Sequence, residues 1–418
     1  MKCRFNSKQR KVILISLIPV VYTISTVVYL PDFLTKCRDI TLFTGTSRQT
    51  RNNTDLQPNT NEIDKDKGGS ATSDHDDRRF VDLSVFTLPA KSRSTRKYVI
   101  SWINKPYWLN IPSVNSFLRY RCVNQNCKMT TYQNHTGQSD ALVFNSKEEL
   151  PSNISSVFKY RPSDQVWVFF QMEPPSRIST FWFRDEMFRN SFNWSWSYRL
   201  NADIFRPIRT LQRRIGNSNL DYNAIYRRKT KMAAWVVSHC NTQSLREEYV
   251  SSLIKSGIDV DIFGGCSHDR KRENASYIMK TISQEYKFYL AFENSFCEDY
   301  ITEKFFTYYG LDVILIVRGG FKYANFFDKS TFIDTSDFGS VKELAEFLIN
   351  VSSREEAYTS YLNNKDKYIP GYTQWDTIQH SSCQLCSKLN NINRYLNIYN
   401  DISISVANDT CYEPTDNY

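Results

Sequence analysis

The sequence predicts an α/β protein of two domains, carried behind one membrane-spanning helix and a flexible stem. Three observations lead there. Strand-like apolar runs alternate with helical stretches through residues 98–349, the pattern of parallel sheets flanked by helices. Residues 287–320, KFYLAFENSFCEDYITEKFFTYYGLDVILIVRGG, read as strand, loop, helix, strand, which is a βαβ unit. At 418 residues, 41% of them apolar, the chain is long enough for two ordinary cores.

Residues 12–30 form a run of 19 without charge, roughly 28 Å long as a helix and able to span a bilayer. Lys2, Arg4, Lys8, Arg10 and Lys11 precede it and hold residues 1–11 on the cytoplasmic side. An uncleaved signal-anchor is expected. A cleaved signal peptide is the alternative, and the length of the run and the lack of a small-x-small site stand against it. The five cations account for much of the net charge of +9, so no nucleic-acid surface is indicated. Residues 31–95 read as a stem. Within it, residues 44–79 are rich in Thr, Asn, Asp, Ser and charge, and bury too little to offset their ordering entropy.

Everything beyond the anchor would then lie in the lumen of the secretory pathway, and two features agree. Sequons stand at Asn52, Asn134, Asn153, Asn193, Asn274, Asn350 and Asn408. The body holds Cys122, Cys127, Cys240, Cys266, Cys297, Cys383, Cys386 and Cys411, an even set that suits disulfides. Eight cysteines allow 105 pairings, so spacing leaves the connectivity open. Cys240 and Cys266 both follow neighbouring strands, which makes them a plausible pair. Cys37, beside the span, offers a link between two chains. Cys383-Gln-Leu-Cys386 alone is a weak zinc signal, since no second pair stands at ligand spacing.

Structure begins near Lys97. Strands are expected at residues 98–103, 141–144 and 165–170. The last runs straight into Glu173 and two prolines, a rigid place for a fixed carboxylate. Residues 211–231 are basic and polar and read as a linker. The second domain opens with a strand at 232–238, a loop, and a helix at 245–254 that puts Arg246 in its first turn, aimed back at the loop. A strand at 259–263 follows. In the βαβ unit, strands are expected at 288–292 and 313–317, with a helix at 301–309 capped by Asp299. Ligands collect beyond the carboxyl ends of such strands, where Glu293, Asn294, Tyr300, Glu303 and Lys304 crowd the helix start. Glu303 and Lys304, neighbours on a helix, should point about 100° apart and serve different parts of a ligand. An edge strand at 331–334 and a helix at 341–349, opened by a Ser340…Glu343 capping box, complete the domain.

Several of these segments resemble the α1,3/α1,4-fucosyltransferases, Golgi type II membrane glycosyltransferases. Phe292-Glu-Asn-Ser295 and Asp299-Tyr-Ile-Thr-Glu-Lys-Phe-Phe306 are similar to the family's donor-site motif, which is long and specific. Trp167-Val-x-Phe-x-x-Glu173-x-Pro175 is similar to the segment whose Glu is the general base, and Tyr198-Arg199-x-x-x-Asp203-Ile204 to a further family block. Ser238-His239-Cys240-Asn241…Arg246 stands where the family carries Ser-Asn-x-Asn…Arg. The chain departs from the pattern at Ile208 and Arg209, in place of Tyr-Gly, at Leu315, in place of a proline, and at Lys329. The Cys240/Cys266 pair and the Asn-Ser-Phe-Cys-Glu-Asp variant look like invertebrate members.

The resemblance covers residues 97–390 and implies a GT-B architecture of two Rossmann-like domains facing across a cleft. Its bounds would be 96–225 on the acceptor side, 226–372 for GDP-fucose, and a cysteine-rich tail, 373–418, tying the two together. It implies an inverting transfer of L-fucose from GDP-β-L-fucose to GlcNAc of glycoprotein or glycolipid glycans. Glu173 would be the base. Arg246 and Lys304 would hold the diphosphate, Glu303 would accept from sugar hydroxyls, and Asn294 and Tyr300 would line the pocket. This scheme requires no metal ion, although Mn²⁺ could assist. Two other readings stand beside it: a non-catalytic glycan- or nucleotide-binding relative, motivated by the departures, and a GT-B transferase for another nucleotide sugar.

Overall fold

The computed structural model describes residues 95–131, 136–216, 218–267 and 274–415. The anchor at 12–30, the stem, Cys3, Cys37, Asn52 and Asn134 lie outside them. Among the described residues, no helix is long and apolar enough to cross a membrane.

The first half builds β1 (Tyr98–Trp102), α1 (Ile111–Tyr120), β2 (Cys127–Thr131), β3 (Ala141–Asn145), α2 (Ile154–Lys159), β4 (Val166–Gln171), β5 (Trp194–Ser197) and β6 (Ile204–Phe205). The strands pair in the order β2-β1-β3-β4-β5-β6, all parallel. Every residue of β3 and β4 is buried, which is why they read as continuous apolar runs and not as alternation. Trp102, Phe170 and Trp196 meet on one face, and Phe144, Trp167 and Phe192 on the other.

The second half builds β7 (Leu211–Arg213), α3 (Tyr222–Arg228), β8 (Lys231–Val236), α4 (Arg246–Lys255), β9 (Val260–Phe263), α5 (Ala275–Glu285), β10 (Tyr286–Phe292), α6 (Glu303–Tyr309), β11 (Ile314–Arg318), β12 (Phe332–Asp334), α7 (Val341–Ser353), α8 (Glu355–Lys365), β13 (Tyr368–Pro370) and α9 (Gln374–Leu389). Its sheet runs β12-β11-β10-β8-β9, again all parallel, with β12 at the edge as expected. In both sheets the strand order reverses direction once, between β1 and β3 and between β8 and β10.

Three expectations need correction. The stretch read as a linker carries β7 and α3, and β7 pairs antiparallel with β13. Asp299 does not cap α6. It sits at φ 60 and accepts from Leu200 N, while Thr302 is the cap, accepting from Lys304 N. Ser340 does cap α7, but Glu343 reaches back to Gly339 N, not to Ser340 N, so the box is open on that side. A closed box stands instead at Thr373 and Asp376, at the start of α9.

That last helix crosses back. α9 packs against α1 and β6, and its Ile378, Leu385 and Leu389 join the core of the first sheet. Cys122–Cys383 and Cys127–Cys386 bond it there. Cys240–Cys266 links the loops after β8 and β9, and Cys297–Cys411 ties the chain end to the loop after β10. Gly320 makes room for that loop, since a Cβ there would lie 2.5 Å from Cys297 O. Of the sequons, Asn153, Asn274, Asn350 and Asn408 are exposed. Asn193 is not. It is 6% exposed, its Nδ2 donates to Asn397 O, and its Oδ1 accepts from Trp167 N. A glycan has no space there.

The two bonds on α9 close nearly the same loop, 261 and 259 residues long. Removing either alone leaves the other to restrain the unfolded chain. Cys383→Ser or Cys386→Ser should therefore cost little in denaturant unfolding, while the double variant should lose about 4–5 kcal/mol.

Candidate active site

The carboxyl ends of the two sheets meet at one cleft of about 410 Å³. Val237, Ser238 and His239 enter it from the end of β8, and Asn294 from the end of β10, the place where the second sheet reverses order. Lys147 enters from beyond β3, and Met172 and Glu173 from beyond β4. All six residues singled out from sequence, Glu173, Arg246, Asn294, Tyr300, Glu303 and Lys304, line it together.

Glu173 is held by its backbone and by its charge. Its carbonyl accepts from Gln171 Nε2 at 3.1 Å, and the short turn Pro175–Arg177 follows immediately. Its carboxylate pairs with Lys147 Nζ at 2.7 Å and is 30% exposed, open to the cleft. Tyr300 is buried and packs edge-on against Tyr198, with centroids 5.3 Å apart. Burial, and then the charge of Glu173, raises the pKa of the Tyr300 hydroxyl well above its ordinary value, so it stays a neutral donor.

Arg246 is the first residue of α4 and is 2% exposed. Its guanidinium donates to Phe292 O at 2.9 Å, to His239 O at 2.7 Å and to Glu247 Oε1 at 3.3 Å. It therefore splints the ends of β8 and β10 while presenting an edge to the cleft. Three of its five N–H groups serve the scaffold.

Across from it stands a cluster at the start of α6. Glu293, wholly buried, accepts from Thr302 N and Thr302 Oγ1, both at 2.8 Å, and pairs with Lys304 Nζ at 3.1 Å. Lys304 Nζ also donates to Thr302 Oγ1 at 2.8 Å and meets Glu303 Oε1 at 3.1 Å. The ends of the Glu303 and Lys304 side chains are thus in contact, because the long lysine stem folds back past Thr302. Burial lowers the Lys304 pKa, but Glu293 and Glu303 outweigh it and the net direction is upward, so the ammonium is charged at neutral pH.

Sequence reasoning missed part of the wall. Trp108, Arg177, Arg206, Thr302, Tyr308 and Gln374 also line the cleft. Arg206 is buried against Trp108 and Phe170 and donates to Gln374 O at 3.0 Å; burial pulls its pKa down to about 9. Glu293 was noted only as one of a crowd. Ile208 is a wall residue, so this departure puts an apolar side chain in the cleft. Among the described residues, no group of three or more His, Cys, Asp or Glu could hold a metal ion. Asp259-Val260-Asp261 has D-x-D spacing, but Asp261 is taken by Lys231 and the Tyr286 hydroxyl, and neither aspartate lines the cleft.

Comparison with known proteins gives a consistent result. Residues 94–209 match the family model described as Fucosyltransferase, N-terminal, and residues 226–404 the one described as Glycosyltransferase family 10 (fucosyltransferase) C-term. The chain is 30% identical to Alpha-(1,3)-fucosyltransferase fut-5 of Caenorhabditis elegans, over 75% of this chain and 84% of that protein. It is 32% identical to 4-galactosyl-N-acetylglucosaminide 3-alpha-L-fucosyltransferase FUT5 of Gorilla gorilla gorilla, over 64% of this chain and 70% of that one. Among solved structures, one titled Crystal Structure of alpha1,3-Fucosyltransferase with GDP-fucose aligns with a TM-score of 0.45 and 18% identity, covering 74% of this chain and 95% of that chain.

The double duty of Arg246 has a measurable consequence. Arg246→Met should lose about 1–3 kcal/mol in urea unfolding, since the Phe292 and His239 carbonyls lose their donor. Arg246→Lys should not restore it, because a single ammonium lacks the fork that spans both.

Proposed function

The chain belongs to glycosyltransferase family 10, the fucosyltransferases, and from that premise we propose that it is an inverting α1,3-fucosyltransferase. It moves L-fucose from GDP-β-L-fucose to GlcNAc of glycoprotein or glycolipid glycans, with its body in the Golgi lumen behind one signal-anchor. In this reading residues 96–225 and 226–372 are the acceptor and donor domains of a GT-B fold. The observation that carries it is the convergence of one open carboxylate, Glu173, with Arg246 and Lys304 on the walls of a single cleft.

The chemistry follows from charge. The acceptor hydroxyl gives its proton to Glu173 as its oxygen attacks the fucose anomeric carbon. The bond from that carbon to the β-phosphate oxygen breaks, and the electron pair leaves with GDP. One in-line displacement turns a β-linked donor into an α-linked product and needs one base. General-base help of this kind is worth about 10²–10⁴ in rate. Lys147 keeps the carboxylate turned toward the cleft before the acceptor arrives. Lys304 and the free edge of Arg246 meet the negative charge that grows on the diphosphate, where a water-poor wall makes them effective. Since α6 is only seven residues long, these two side chains carry more of that work than the helix dipole. Glu303, whose side chain is 54% exposed, is turned outward enough to accept from sugar hydroxyls. Mn²⁺ enters no step.

Residues 80–418, supplied with GDP-fucose and a mixed panel of N-glycan and antennal acceptors, should yield fucosylated products by mass spectrometry. Absence of both transfer and GDP-fucose hydrolysis would overturn the reading. Glu173→Gln should keep donor affinity and lose about 10²–10⁴ in transfer; retained transfer removes Glu173 from its role.

A further inference from the structure

We infer that Glu293 is a positioning residue: it aims the Lys304 ammonium at the donor diphosphate, and it fixes the start of α6 in the same act. This deepens the reading of Lys304 given above and rests on it.

The argument begins with what a lysine lacks. Its ammonium sits on a flexible four-carbon stem and does not hold a direction by itself. Freezing such a stem costs rotamer entropy, which must be offset by contacts made before the ligand arrives. Glu293 supplies them from a fixed point. It directly follows β10, its N–H donates to Arg318 O at 2.9 Å, and its carbonyl accepts from Ser244 Oγ at 2.7 Å. Its carboxylate has no exposure to solvent and faces only donors: Thr302 N, Thr302 Oγ1 and Lys304 Nζ. Thr302 is the cap of α6, so one carboxylate sets both the helix start and the ammonium two residues later. Gly319 leaves the space for this, since a Cβ there would lie 3.2 Å from Glu293 Cβ and Cγ. A buried carboxylate deprived of its partner is strongly unfavourable, so each charge holds the other in place. The three N–H groups of the ammonium meet Thr302 Oγ1, Glu293 and Glu303, and Glu303, the exposed member of the three, is the acceptor that a diphosphate entering the cleft would replace.

The test is a double-mutant cycle on the full-length chain. Glu293→Gln keeps the shape and the Thr302 contacts but removes the charge. It should lower kcat/KM for GDP-fucose about 10–100-fold with little change in melting temperature. Lys304→Met should cost at least as much alone, and little more when added to Glu293→Gln, because the lysine is by then misdirected. Where Glu293→Gln does not fold, Glu293→Asp serves in its place: the shorter carboxylate draws back from Lys304, and the same coupling is expected. Losses that multiply would overturn the positioning role alone, as would parent-like turnover by Glu293→Gln. Parent-like turnover by Lys304→Met would overturn the donor-site reading itself.

Discussion

The site depends on a seam between the two halves of the chain, centred on one buried guanidinium. Arg199, from the loop after β5, reaches across to the loop after β10. Its side chain is 9% exposed, and its guanidinium lies 2.8 Å from Glu298 and 3.4 Å from Asp299. Tyr198 packs on Tyr300 beside it, and Ser176 meets Ser295 at 2.7 Å. A guanidinium taken out of water needs such partners, and losing one would leave a buried charge uncompensated. This seam sets how far Glu173, on one sheet, stands from Lys304, on the other. The Cys297–Cys411 bond lies against the same contact, so the loop that receives Arg199 is held from both sides.

Much of this was legible in the sequence, and what was not has physical reasons. The central strands are short, apolar and bounded by polar loops, so β1, β3, β4, β8, β10 and β11 were found within one or two residues. Six cleft residues were found because they sit at strand ends and in one βαβ crossover, where side-chain direction follows from topology. β7 was invisible. It is three residues long, only one of them apolar, and paired with a strand more than 150 residues away. Arg206 and Glu293 were underrated because a charge in sequence carries no sign of its burial. Asn193 shows the same blindness from the other side: a sequon is a local pattern, and this one closes into the core beside Trp167. Asp299 has a good capping residue's chemistry, but its positive φ turns the chain away from the helix.

The departures from the family pattern also find places. Leu315 is fully buried as the second residue of β11, where its N–H is available to the ladder as a proline's would not be. Lys329 is exposed and pairs with Asp337 at 3.0 Å, outside the cleft. Ile208 alone lines the cleft, packed with Met172 against the Tyr198–Tyr300 pair.

The return of α9 to the first sheet bears on how the protein is made. The ribosome releases the amino-terminal half long before the helix that covers its Trp194 and Val114 face exists. Cys122 must wait for Cys383, 261 residues later, which at about 5–20 residues per second is a delay of roughly 15–50 s. Through that interval the newborn half is an unfinished surface holding two free thiols, Cys122 and Cys127, each waiting for a partner not yet made.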